Sequence, residues 1–170
     1  MISKNQIKHL HSLLRKKNRQ KFQQVILEGQ RLIEESIKAG ADIEYFCFIE
    51  NNKNKILNNN LLNQIQSYVI SDIDFKKISN TKTSQGLIAL ASTKKYNNTN
   101  LNDLEGDNVV ILDGIQDPGN LGTILRTCVW FGIKSIILTS NCSDPFNLKC
   151  MRSGVGAHFY LDKIIIEDSK

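Results

Sequence analysis

The sequence predicts an α/β protein built as two units, and three observations carry that expectation. Val109–Leu112 is an unbroken apolar run followed by turn residues, a helix-period segment and a second apolar run at Ser135–Leu138, the pattern of a strand–helix–strand unit on a parallel sheet. Upstream, short apolar runs alternate with helix-period segments from Val25 to Ala91, as in a compact α/β/α layer domain. Between them lies Lys94–Asp107 (KKYNNTNLNDLEGD), rich in Asn, Asp and Thr and poor in apolar residues, which reads as a linker. The expected division is therefore 1–93, a linker at 94–107 and a second unit at 108–170.

Ser3 is placed to cap a first helix with Ile7, Leu10 and Leu14 on one face. Val25–Leu27 reads as a short buried strand, and Glu28–Gly29 leads into a helix with Leu32, Ile33 and Ile37 inward, closed by Gly40. Ile43–Ile49 is a second strand, and Asn51–Asn60 an asparagine-rich loop or weak helix. Leu61–Ile65 reads as a short helix and Tyr68–Ile70 as a third strand. Ser71 or Asp72 starts a helix through Ile78, Thr81–Gly86 is a polar turn, and Leu87–Ala91 is a fourth strand.

In the second unit Val109–Leu112 is expected to be buried on both faces, with Asp113 ending the strand. Gly114, Asp117–Pro118–Gly119 and Asn120 supply turn chemistry. From Leu121 the apolar positions Ile124, Leu125, Cys128 and Val129 fall at helical spacing, and Gly132 closes that helix in the left-handed conformation. Asp144–Pro145 reads as a cap and first-turn proline of a helix carrying Phe146, Leu148 and Met151, which stops in Ser153–Gly156. Phe159–Leu161 and Ile164–Ile166 read as a last strand or two.

A unit of this kind places chemistry outside the carboxyl ends of its strands. The backbone N–H groups of Asn120–Thr123 would be unpaired at the helix start and attract an anion, with Arg126 less than two turns on. Gly114 and Gly119 are followed by Asn120–Leu121 where a P-loop needs Lys and Ser or Thr, and no G-x-G-x-x-G occurs. Nucleoside triphosphatases and nicotinamide enzymes are thereby disfavoured. On shape alone the glycines equally fit an ordinary tight turn beside a solvated arginine.

Charge separates the two units. Residues 1–95 hold 16 Lys and Arg against 8 Asp and Glu, whereas 96–170 hold 6 against 9, so a half at +8 precedes one at −3. Lys4, Lys8, Arg15, Lys16, Lys17, Arg19 and Lys21 precede the first acid, Glu28, and an all-basic set without mixed-sign pairing favours phosphate contact. No apolar run is long enough to span a membrane, and the four cysteines (Cys47, Cys128, Cys142, Cys150) show no metal spacing with the histidines. Reduced thiols in a cytoplasmic protein are expected, with organelle import of a longer precursor left open.

LDGIQDPGNLGTILRTCVWFG resembles the first signature motif of the SpoU-type (SPOUT class, TrmH-like) RNA 2′-O-ribose methyltransferases, whose Asn-x-Gly-x-x-x-Arg core is Asn120, Gly122 and Arg126 here. PFNLKCMRSGVGA is similar to that family's Arg-x-Ser-x-Gly-Ala helix, which places Ser153 at a motif position. FQQVILEGQRLIEESIKAG and ISNTKTSQGLIALA resemble the small, ribosomal-protein-like RNA-binding domain that precedes the catalytic domain in many members. The resemblance implies a methyl transfer from S-adenosylmethionine to a ribose 2′-hydroxyl of RNA, ribosomal more than transfer. Arg126 and Asn120 would be the catalytic residues, Arg126 as an electrostatic aid, since an arginine stays protonated. Gly122 would let the backbone come close, with Gly114 and Gly119 shaping the loop. Glu28 and Arg31 match the family's Glu-Gly-x-Arg and are either a local structural pair or help to present RNA; Lys82 lies in a candidate RNA-contact loop. The family's second and third motifs, which form the trefoil knot and hold the methyl donor, have no counterpart after Ile166. The second unit is therefore expected to be a partial Rossmann-like sheet halted before the knot, with no identifiable donor-binding residues and no metal. An RNA-binding module with an inactive remnant of the fold is the alternative. A complete member would be a homodimer, and a sheet with open apolar cover predicts self-association, disorder near the C-terminus or poor solubility.

Overall fold

The computed structural model describes residues 1–53, 56, 59–79, 81, 84–96, 101–104 and 108–167, with backbone only at 102 and 103. The first half contains α1 (Lys4–Ser12), α2 (Lys16–Phe22), β1 (Gln24–Glu28), α3 (Gln30–Lys38), β2 (Ile43–Phe48), β3 (Ser67–Val69), α4 (Asp72–Ile78) and β4 (Leu87–Ser92). The second contains β5 (Val109–Leu112), α5 (Pro118–Trp130), β6 (Ser135–Thr139), α6 (Leu148–Gly154), α7 (Ala157–Tyr160) and β7 (Lys163–Glu167).

Strand order in the first sheet is β1-β4-β2-β3, antiparallel except for the parallel β2–β3 pair. The period-2 alternation of β1 divides its side chains between two cores. Ile26 packs with Leu10 and Leu13 and with Phe75 and Ile78 of α4 on one face. Val25 and Leu27 pack with Leu32, Ile33 and Phe46 on the other. The second sheet, β5-β6-β7, is wholly parallel, with Val110, Ile136 and Ile164 in register. Leu121, Leu125 and Cys128 of α5 cover it together with Cys150 and Leu161.

The two halves meet through packing. Met151 of α6 and Phe159 of α7 belong to the core under the first sheet, while Cys150 and Leu161 belong to the core of the second. The chain bridging them starts with a 3₁₀ turn, Lys94–Tyr96, that is locked to α7. Lys95 Nζ donates to the carbonyls of Phe159 and Leu161 at 2.8 and 2.9 Å, and the Tyr96 hydroxyl donates to the carbonyl of His158.

Several expected elements are revised. Ser3 caps α1 as expected, yet Leu13, at 1% exposure, is the inward residue rather than the half-buried Leu14, because the helix ends at Ser12. Leu61–Ile65 forms turns, with Asn59 Oδ1 accepting from Leu61 and Leu62 in place of a helical ladder. Among the described residues strand β5 lies at one edge of its sheet, where the sequence predicts burial on both faces, and Ile111 is 67% exposed. Asp144 does not start a helix. One carboxylate oxygen accepts from Phe146 N in a turn and the other takes Arg19, so α6 begins at Leu148 under the side chain of Asn147. Phe159 lies in the short helix α7, not in a strand, because the positive φ angles of Val155 (+48°) and Gly156 (+80°) reverse the chain just before it.

Candidate functional site

Helix α5 starts at Pro118, three residues ahead of the expected Leu121, because Asp117 caps it. Asp117 Oδ1 accepts from Asn120 N at 2.8 Å, the Asp117 carbonyl accepts from Leu121 N at 3.0 Å, and Lys149 Nζ donates to Asp117 Oδ2 at 2.6 Å. The expected anion cradle is thus filled by the protein's own carboxylate, and the Lys149 ammonium with the Asn120 N–H holds that carboxyl below its usual range. Gly114, at φ +66°, turns the chain out of β5, and Gly119 sits against the Asp117 carboxylate.

Gly122 lets two backbones come close. A Cβ there would lie 2.1 Å from Ser153 Oγ and 2.3 Å from the Cys150 carbonyl, so its hydrogen lets α5 and α6 touch. Ser153 takes part in the same contact. Its half-buried hydroxyl lies 3.0 Å from the Lys149 carbonyl and 3.1 Å from that of Cys150, to which it can donate.

Along the exposed side of α5, Asn120, Thr123 and Arg126 stand at three-residue steps as a ridge, with Arg126 one turn on from Gly122. Thr123 Oγ1 donates back to the Gly119 carbonyl at 3.0 Å. Arg126 has no hydrogen-bond or ion-pair partner among the described residues. A hollow of about 430 Å³ at the β5–α5 loop is lined by Ile115, Asp117, Asn120 and Thr123, and Arg126 lies one step beyond it. The helix ends in exposed apolar surface, Trp130 at 86% and Phe131 at 77%.

A second group gathers where the halves meet. Glu28, 5% exposed, accepts from the hydroxyls of Ser79 and Thr81 and from Arg152 Nη1 at 3.4 Å. The carboxylate forms an ion pair with Arg152 of the second half, where the sequence suggested a local pair with Arg31, and Glu28 itself lines the hollow beside them. Arg31 is exposed and lines, with Arg152, Thr81 and Gln85, a hollow of about 260 Å³. Arg152 is the arginine of the Arg-x-Ser-x-Gly-Ala stretch, and its position beside Arg31, which the sequence does not show, marks it as a further candidate. Lys82 lies outside the described residues.

Of the basic set, Lys4, Lys8, Arg15, Lys16, Lys17 and Lys21 are exposed as expected. Arg19 is the exception, at 7% exposure. Its Nη1 donates to the carbonyls of Leu13 and Leu14 at 2.8 and 2.9 Å, and its Nη2 pairs with Asp144, so it joins the halves rather than standing exposed like the lysines around it. His11 and Lys77, not singled out from the sequence, extend the row of Lys4 and Lys8 along a groove of about 420 Å³ between α1 and α4. Among the described residues no helix is long and apolar enough to cross a membrane. All four cysteines are free thiols, and burial pushes Cys47 and Cys150 up to about 12.

Residues 4–89 match the MRM3-like substrate binding domain and residues 107–170 match the SpoU rRNA Methylase family. The chain is 30% identical over 160 residues to the 23S rRNA (guanosine(2553)-2′-O)-methyltransferase RlmP of Bacillus subtilis, covering 94% of this chain and 61% of that protein. A putative RNA methyltransferase of the TrmH family from Porphyromonas gingivalis superposes with a TM-score of 0.74 at 28% identity, over 98% of this chain and 63% of the other. An AdoMet-bound rRNA methyltransferase from Sinorhizobium meliloti superposes at 0.76 with 24% identity, over 99% and 64%. The chain spans 61% of the length of the Bacillus subtilis protein but only 35% of that of the mitochondrial rRNA methyltransferase 3 of Mus musculus, to which it is also similar. Its two sheets are thus those of known RNA methyltransferases, and the chain belongs to the SpoU rRNA methylase family, with an MRM3-like substrate-binding domain ahead of its methylase segment.

Proposed function

We propose that this chain serves an S-adenosylmethionine-dependent 2′-O-methylation of ribosomal RNA, binding RNA through its first half and presenting a ribose to α5. The observation that carries this reading is the Asn120–Thr123–Arg126 ridge, with a guanidinium that has no partner among the described residues, on a helix held against α6 at Gly122 and capped at its start by Asp117. Methylation of a 2′-hydroxyl develops negative charge on the ribose oxygen. A permanently protonated guanidinium stabilises that charge directly or through the adjacent phosphate. The Asn120 amide, with one donor and one acceptor edge, orients the sugar. The described residues do not by themselves enclose a methyl donor, because the hollow beside the ridge is bordered by Gly114, Gln116, Asp117 and Asn120, all exposed. The roles assigned here therefore concern RNA.

The exposed lysines of α1 and α2 and Arg31 supply phosphate contacts, so affinity for RNA should fall steeply with salt. The exposed Ile111, Trp130 and Phe131 support self-association into a dimer. Free thiols support a reducing compartment, cytoplasmic or organellar.

The test is transfer of a labelled methyl group to ribosomal RNA by the protein that carries this chain, read as alkali-resistant linkages, which only 2′-O-methylation leaves. Arg126→Ala should lower the rate at least about a hundredfold while RNA affinity changes by less than about threefold. Equal turnover in the variant removes the role given to Arg126.

A further inference from the structure

Helix α2 and strand β7 face each other across a crevice of about 270 Å³ that the assignments above do not use. On one side stand Gln20, Gln23 and Thr93. On the other stand the aromatic rings of Tyr96 and Phe146 and the edge of β7 from Ile164 to Glu167. Among the described residues strand β7 is paired only on its β6 side. The floor is fixed by the Arg19–Asp144 ion pair, so the two walls are held by a contact between the halves.

The polar wall is unspent. The side-chain amides of Gln20 and Gln23 have no partner among the described residues, whereas the neighbouring Gln24 is engaged with His9 and Glu44. Gln23 adopts φ +54°, a conformation a non-glycine residue takes at a cost. Its carbonyl accepts from Thr93 N at 2.8 Å, which fixes the turn against β4. Lys16 and Gln20 fall four residues apart on one face of α2, and Gln23 caps the end of the helix. That face thus runs from a cationic end to an amide end, and Lys17 and Lys21 are exposed beside it with no acid on the helix.

Lysines at a rim suit phosphates, amides offering both a donor and an acceptor suit the hydrogen-bonding edge of a base, and an apolar, partly aromatic wall suits its flat face. The volume lies under the roughly 300 Å³ at which pockets for drug-sized ligands begin, which fits one planar heterocycle. We propose that the crevice between α2 and β7 receives an unpaired base of the bound RNA. This rests on the RNA-binding reading above and adds where sequence is read.

The test compares binding of the full chain to a labelled single-stranded RNA dodecamer and to a sugar–phosphate oligomer of the same length lacking bases. The native protein should prefer the base-bearing strand by about tenfold. The double variant Gln20→Ala/Gln23→Gly, whose glycine accepts the positive φ, should cut that preference below about threefold and leave affinity for the baseless strand unchanged. Lys16→Gln with Lys17→Gln should weaken both ligands equally and flatten the salt dependence. A native protein without base preference, or a preference that survives the glutamine changes, overturns the proposal while salt-dependent binding keeps the RNA reading intact. Binding of neither ligand overturns the RNA reading itself. An extended peptide that displaces the base-bearing strand and not the baseless one assigns the crevice to strand addition on β7, and overturns the base site.

Discussion

His158 is the residue through which acidity should reach the fold. It is fully buried, its ring lies beside that of Phe146, its Nε2 is 3.6 Å from Cys150 Sγ, and its Nδ1 has no hydrogen-bond partner. Burial pushes its pKa down to about 4, opposed by the Pro145 backbone and the Asp144 carboxylate. An unfolded histidine titrates near 6.5. Above that pH neither state is protonated and the shift costs nothing. Between about 6.5 and 4 the unfolded chain takes up a proton that the folded chain refuses, so stability falls as pH falls, by about 3 kcal/mol at most. Asp74 and Asp117, whose carboxyls are lowered by Lys77 and Lys149, lose their contributions only below the ordinary carboxylate range. Urea unfolding between pH 7 and 4.5 should therefore show a decline that is shallower in His158→Asn; an equal slope in the variant removes His158 as its source. The histidine's depth was not legible in the sequence, and neither was that of Arg19. Arg19 reads like Lys17, and what buries it is Asp144, a partner 125 residues away.

At the scale of elements, periodicity located nearly every strand, while capping chemistry moved the helix starts. The run Val109–Leu112 is a strand as expected, but an apolar run does not reveal whether a neighbour covers it, and Ile111 is left exposed. Helix α5 was legible as a helix, yet Asp117–Pro118 was read as turn chemistry when it is the cap and first residue of the helix. Asp117 holds both a cap bond to Asn120 N and an ion pair with Lys149 whose side chains are 45% and 55% exposed. An ion pair that exposed contributes little, whereas a cap contributes about 1 kcal/mol. Asp117→Ala should therefore cost about 1 kcal/mol by denaturant midpoint, and Asp117→Asn, which caps without charge, only a few tenths. A full loss in the asparagine variant assigns the stability to the ion pair instead.

For the whole molecule, the junction between the halves decides whether the ridge on α5 and the basic surface of α2 address one RNA as a rigid pair. The sequence shows a polar stretch at 94–107, which by composition predicts independent units. The long-range contacts that compose the junction are invisible to periodicity: Met151 and Phe159 entering the first core, Arg152 on Glu28, and Arg19 on Asp144. The last of these pairs has side chains 7% and 13% exposed, so both charges are largely out of water. Removing one partner strands the other, which typically costs about 3–5 kcal/mol, while replacing both with apolar groups is often nearly neutral. Arg19→Leu should thus destabilise by about 3 kcal/mol, and Arg19→Leu/Asp144→Leu should recover most of it. Native-state hydrogen exchange separates global from local loss. Amides of β1 and β7 should open with one free energy in the native protein and in the double variant. In Arg19→Leu the β7 amides should exchange first, because the contact holding that edge to α2 is the one removed. Unequal protection already present in the native protein would mean that the halves fold separately and that Arg19 is only a local tie.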